Sequence, residues 1–155
     1  MPSALELKIP PPVQSLAAIA AMGGFAWWGL CPLPLSWGWR VALAALLAVA
    51  GLAVLLFCGR MFIKAKTTYL PMRPEKSSVL VTGGIYRYSR NPMYLSMAVF
   101  LLGVGVLFGD GLALLVLPLF ALYMTKFQII PEERALERIF GEAYLGYKQR
   151  TRRWL

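Results

Sequence analysis

Four apolar runs constrain what this chain can fold into more than any other feature. A helix crossing a bilayer needs roughly 20 mostly apolar residues, with about 17 as a working minimum. Residues 13–30, 37–58, 92–108 and 111–125 all come close to that length. The first run follows Pro10, Pro11 and Pro12, which stop any earlier helix, and ends at Trp27 and Trp28 before the Pro-rich turn at 31–34. No basic stretch precedes it and no small-residue cleavage site follows, so it reads as a spanning helix and not as a signal peptide. In the second run, Arg40 sits one turn from the start, where it can snorkel among Trp37 and Trp39. Only Gly109 and Asp110 separate the third run from the fourth, which makes the pair an antiparallel hairpin. Pro118 is expected to kink its second arm.

Composition agrees with this reading. Hydrophobic residues make up 59% of the 155 and charged ones only 15%, with a mean hydropathy of +0.62, which is a membrane composition. Sixteen Lys and Arg against seven acids leave a formal charge of +9. These bases flank apolar runs instead of lining a soluble helix, so nucleic acid is not the expected partner. The absence of His removes His-based acid/base chemistry. Cys31 and Cys58 lie on different segments without the partners that a metal site needs, so no metal is expected and both read as small apolar fillers.

The cationic residues also set the expected topology. Arg60, Lys64, Lys66, Arg73, Lys76, Arg87 and Arg90 crowd the linker at 59–91 against the single acid Glu75. The tail at 126–155 adds Lys126, Arg134, Arg138, Lys148, Arg150, Arg152 and Arg153. Both segments, both termini and any site they form are therefore expected on the cytoplasmic side. The expected fold is one all-α integral membrane domain of about four transmembrane helices, with a cytoplasmic linker and a C-terminal amphipathic helix.

Within the linker, Pro71, Pro74, Gly83 and Gly84 punctuate a loop too long to be a minimal connection. Residues 79–88 mix β-branched and aromatic types, which suggests an ordered, partly extended segment. Asn91 falls at an N-cap and Pro92 at the first helical position. Two readings follow: Arg87 and Arg90 beside a helix N-terminus bind an anionic ligand, or the pair merely starts a helix while the arginines anchor to lipid phosphate. Further on, Ala135, Leu136, Ile139, Phe140, Ala143, Tyr144 and Tyr147 recur at helical spacing, predicting one amphipathic helix over 131–150. Glu132 and Glu133 occupy its first turn, where they complement the helix dipole or bind ligand hydroxyls or an amine. Gly103, Gly105 and Gly109 imitate a nucleotide loop, but they lie in a membrane run and follow no strand; close helix packing explains them better.

The run Leu80-Val81-Thr82-Gly83-Gly84-Ile85-Tyr86-Arg87-Tyr88-Ser89-Arg90-Asn91-Pro92-Met93-Tyr94 resembles the membrane methyltransferases that include isoprenylcysteine carboxyl methyltransferase and the phospholipid N-methyltransferases. A second block, with Glu132-Glu133, Leu136, Phe140-Gly141, Tyr144 and Tyr147, resembles that family's C-terminal cofactor signature. Together the blocks cover roughly the C-terminal half. The resemblance implies S-adenosylmethionine as methyl donor. Carried over by position, cofactor contacts fall on Val79, Leu80, Val81, Tyr86, Asn91, Pro92, Met93, Tyr94 and Glu132, and the physical reading adds Arg90 as a partner for the methionine carboxylate. The chain departs from the prenylcysteine enzymes in having Asn91 for their His, Ser96 for a Gly, and Gln128 for the substrate-binding Arg four residues before the Glu. A neutral Gln128 at the substrate position cannot pair with a carboxylate, which points toward another lipophilic acceptor from the bilayer. No catalytic residue is named, and the oligomeric state is left open. The competing expectation is a non-enzymatic four-helix protein that binds lipid or a protein partner; a coupled-ion transporter lacks the charged residue deep in a membrane run that it would need.

Overall fold

A small-residue seam at the middle of the bundle explains how the helices pack. The computed structural model describes residues 6–66 and 78–155; Pro71, Arg73, Pro74, Glu75 and Lys76 of the expected linker lie outside them. Among the described residues every regular element is helical: α1 (Pro11–Trp28), α2 (Trp37–Lys64), α3 (Pro92–Phe108), α4 (Gly111–Leu114), α5 (Val116–Met124), α6 (Ile130–Phe140) and α7 (Glu142–Arg150). A 3₁₀ turn over Gly84–Arg87 precedes α3, and a π-helical turn over Thr125–Ile129 joins α5 to α6.

α3 is the central post. α2 packs along one side of it, and α1, α4 and α5 gather on the other. A Cβ added at Gly51 of α2 would lie 2.8 Å from the Ser96 carbonyl oxygen, and one at Gly103 of α3 would lie 3.1 Å from that of Ala44. The two backbones therefore touch, which supplies the dispersion contact that drives association where lipid cancels the hydrophobic effect. On the opposite side Ala18 and Met22 of α1, Tyr94 and Leu101 of α3, Ala113 of α4 and Val116, Phe120 and Met124 of α5 form the buried core. Leu46, Val49, Leu52, Leu56 and Phe57 of α2 point outward, a continuous apolar face of the kind that lipid covers. Two helices, Trp37–Lys64 and the continuous run Gly111–Phe140, are long and apolar enough to cross a membrane.

The third run forms a helix within its expected bounds, while other boundaries moved for local reasons. α2 continues past the expected end at Cys58 to Lys64. Arg60 and Lys64 end the apolar pattern, but both are good helix formers, so hydropathy and helix end do not coincide. The fourth run is interrupted at Leu115, one turn before Pro118, whose missing N–H takes the bond from the Leu114 carbonyl. The helix then continues beyond the expected end at 125 through the π turn. Pro131 likewise removes the donor for the Phe127 carbonyl, and the Leu7 N–H fills the vacancy from outside the helix at 3.0 Å. The single helix expected over 131–150 is two helices. They are divided at Gly141, whose φ of 50° and ψ of −126° suit glycine alone.

Away from the polar tail, two turns are pinned together. Asp110 accepts from the Leu112 N–H at 2.8 Å as the cap of α4, and from the Cys31 N–H at 3.0 Å across the bundle. Arg40 reaches the Phe108 carbonyl at 3.4 Å while its guanidinium lies 5.5 Å from the Trp37 ring centre, so it is held by more than the expected Trp belt.

Replacing Gly51 by Leu should cost about 1–3 kcal/mol, because the α2–α3 backbones must part. Gly24→Ala, where an added methyl meets open space, should cost nothing. Thermal unfolding in detergent compares them. The same assay should show Asp110→Ala destabilising by about 1–2 kcal/mol, since it loses a helix cap and a link between turns together.

Candidate functional site

The turn before α3 places its aromatic residue inward. Gly84–Arg87 coils so that Tyr86 is buried edge-on to Phe62 of α2, with ring centres 5.6 Å apart, and its carbonyl accepts from the Tyr147 hydroxyl of α7 at 2.7 Å. Burial pushes the phenols of Tyr86 and Tyr147 well above their ordinary value, so both remain neutral donors. Tyr86 thus ties the ends of α2 and α7 to the loop that carries Val79, Leu80 and Val81. Val79 is exposed and the other two are half-buried.

A buried carboxylate organises the adjoining residues. Glu133 of α6 accepts from Arg90 Nη2 at 2.9 Å and Nε at 3.3 Å, and from Arg153 Nη2 at 2.8 Å and Nε at 3.0 Å. The side chains of Glu133 and Arg90 retain only 7% and 9% exposure, so the pairing offsets a large desolvation cost. Arg90 Nη1 donates to the carbonyls of Lys148 and Thr151. With its donors directed to Glu133 and these carbonyls, Arg90 occupies a structural position facing Glu133 instead of standing open beside the helix end. Hydrogen bonding to Glu133 holds the Arg153 guanidinium above its ordinary range.

Glu132, the preceding residue, faces another way. Its Oε2 accepts from the Tyr94 hydroxyl at 2.8 Å, joining the two sequence blocks directly. Tyr94 is buried in the core on the first turns of α3, behind Pro92 and the half-buried Met93. Gln128, one turn before Glu132 and fully buried, hydrogen-bonds to the same hydroxyl. Tyr94, Gln128 and Glu132 therefore form one polar group at the edge of an apolar core.

Asn91 occupies the expected N-cap position, but its side chain makes no cap. Its Nδ2 donates to the Arg153 carbonyl at 3.0 Å, while its backbone N–H is taken by Ser89 Oγ at 3.1 Å. One N–H of the amide is thereby committed to the tail.

The sequence reading brought most of these residues together but missed Ser89, Thr125, Thr151, Arg153 and Trp154. Arg153 and Trp154 look like lipid-facing tail residues in one dimension. The one available signal was Trp154 itself, an aromatic that gains from burial after a basic run.

A family model described as phospholipid methyltransferase matches residues 39–143. An uncharacterized protein of Haemophilus influenzae is 46% identical over 63 residues, which are 41% of this chain and 100% of that one. Protein-S-isoprenylcysteine O-methyltransferase of Schizosaccharomyces pombe is 37% identical over 80 residues, or 50% of this chain and 33% of the relative. The rat protein of the same name is 32% identical over 112 residues, or 68% and 39%. The chain thus spans only a third to two-fifths of the length of these two methyltransferases.

Glu133→Ala should destabilise by about 3–5 kcal/mol, because it strands the Arg90 guanidinium at a desolvated position, while the half-exposed Arg153 can return to water. Arg134→Ala breaks only the exposed pair with Glu6 and should cost at most about 1 kcal/mol. Denaturant titration of the two variants separates these outcomes.

Proposed function

Because the chain belongs to the phospholipid methyltransferase family, we propose that it transfers a methyl group from S-adenosylmethionine to a lipophilic acceptor at the cytoplasmic face of the membrane. In this reading α1, α2, α3 and the α4–α5 run cross the bilayer, and the loop before α3, the start of α3, α6 and α7 hold the donor. The observation that carries the proposal is the 2.8 Å bond between Tyr94 and Glu132, which brings the two blocks into one polar group at the mouth of an apolar bundle.

The donor supplies an electrophilic methyl on a sulfonium, and in-line displacement requires alignment and exclusion of water more than acid or base groups. The residues divide that work. Glu132 and the Asn91 amide oxygen accept from the cofactor's ammonium or hydroxyl groups. Tyr94 fixes the Glu132 carboxylate, and the Tyr86 and Tyr94 rings wall the site against water. Val79, Leu80 and Val81 give apolar and backbone contact, while Pro92 and Met93 shape the floor. Arg90 acts through Glu133 as an anchor. Gln128 lies on the acceptor side as a neutral group, which favours an uncharged or aminated lipid over a carboxylate. An apolar acceptor enters laterally from the bilayer while the donor arrives from the aqueous side.

Titration of the protein in nanodiscs with S-adenosylmethionine should give saturable binding. Glu132→Ala should weaken it about tenfold to a hundredfold, since a hydrogen bond to a charged group is lost. Tyr94→Phe should weaken it less, because it removes only the orienting bond. A folded wild type that binds no donor would instead support a non-enzymatic lipid-binding or partner-binding protein.

A further inference from the structure

The segment at 151–154 follows α7, beyond the residues that match the family. It does not trail into solvent. The Arg152 carbonyl accepts from the Arg90 N–H at 2.9 Å, and the Arg153 carbonyl accepts from Asn91 Nδ2 at 3.0 Å and Ser89 Oγ at 3.4 Å. The Arg153 side chain forks onto Glu133, and Trp154 Nε1 donates to Thr125 Oγ1 at 3.1 Å, with its ring packed against the core. In four residues the chain is therefore laced to the start of α3, to α6 and to the end of α5.

We propose that this segment is a strap that completes the donor site, with Arg153 as a positioning residue that sets Asn91 and Glu132 for the ligand. The inference rests on the methyl-donor reading above. Asn91 precedes α3 and Glu132 sits on α6, so their relative placement depends on whatever joins those two helix starts. Arg153 bridges them, by its carbonyl to the Asn91 amide and by its guanidinium to Glu133, the neighbour of Glu132. The carbonyl contact also holds the Asn91 amide in one orientation. Without it the amide loses its fixed direction, and with it the oxygen that the methyl-donor reading assigns to the ligand. A fork held at both nitrogens restricts rotation in a way that a single ammonium does not.

The test is equilibrium binding of S-adenosylmethionine to the full chain in nanodiscs, with a melting curve recorded without ligand for each variant. Arg153→Ala should weaken binding roughly tenfold, as expected when positioned groups drift by a fraction of an ångström. Arg153→Lys should recover part of the loss, and Arg138→Ala, which removes an equal charge from an exposed site, should bind like the wild type. Arg153→Ala binding as tightly as wild type overturns the inference and leaves the methyl-donor reading standing. Affinity that falls only in step with melting temperature, with no recovery in Arg153→Lys, makes Arg153 a brace and also overturns it. A folded wild type that binds no donor removes the reading and the inference together. Should Arg153→Ala fail to fold, Trp154→Phe keeps the ring and removes only the bond to Thr125. A loss of a few-fold in affinity at unchanged melting temperature then supports the strap, and no change overturns it.

Discussion

Two guanidiniums closing on one buried carboxylate are the interaction on which the polar end of this molecule depends. Withdrawing such ions from water costs several kcal/mol each, and an arrangement of this kind persists only when its hydrogen bonds are nearly all made. Glu133 meets that condition with four bonds from Arg90 and Arg153, and Arg90 Nη1 donates to the Lys148 and Thr151 carbonyls. The demand for complete pairing draws the start of α3, the start of α6 and the segment after α7 to one point. Glu132 is carried into place as the next residue along. Its contact with Tyr94 is thus a consequence of the neighbouring charge cluster as much as of its own chemistry.

The apolar part of the bundle answers a different constraint. In lipid, helices associate through close contact and shared hydrogen bonds, and α3 supplies both. Gly51 and Gly103 let α2 touch it on one side, while the methionines and aromatics of α1 and α5 fill the other. The two turns pinned by Asp110 keep the opposite ends of these helices from separating. The polar group of Tyr94, Gln128 and Glu132 lies toward the charge-pinned end, away from the turns held by Asp110.

Much of this was legible in the sequence because prolines and glycines mark it. Pro10 to Pro12, Asn91-Pro92 and Gly109-Asp110 announce where helices start and turn, and the pattern around Glu132 and Tyr94 identifies the family. The misses share a cause. Hydropathy does not report helicity, so α2 outran its apolar run into Arg60 and Lys64. A period of 3.6 can persist in phase across a break, so the division at Gly141 was hidden by the aromatic stripe on either side. Above all, Arg90 and Arg153 lie 63 positions apart; Arg90 reads locally as an anion-binding residue and Arg153 as a surface cation. Their shared role exists only once Glu133 is placed between them.

The central claim is that one site is assembled from segments distant in sequence and clasped by Glu133. Hydrogen–deuterium exchange of the protein in nanodiscs, with and without S-adenosylmethionine, tests it most directly. The account predicts added protection in two separate stretches, 78–94 and 128–154, with the turn at 29–36 unchanged. Protection confined to one stretch, or appearing at that remote turn, would contradict it.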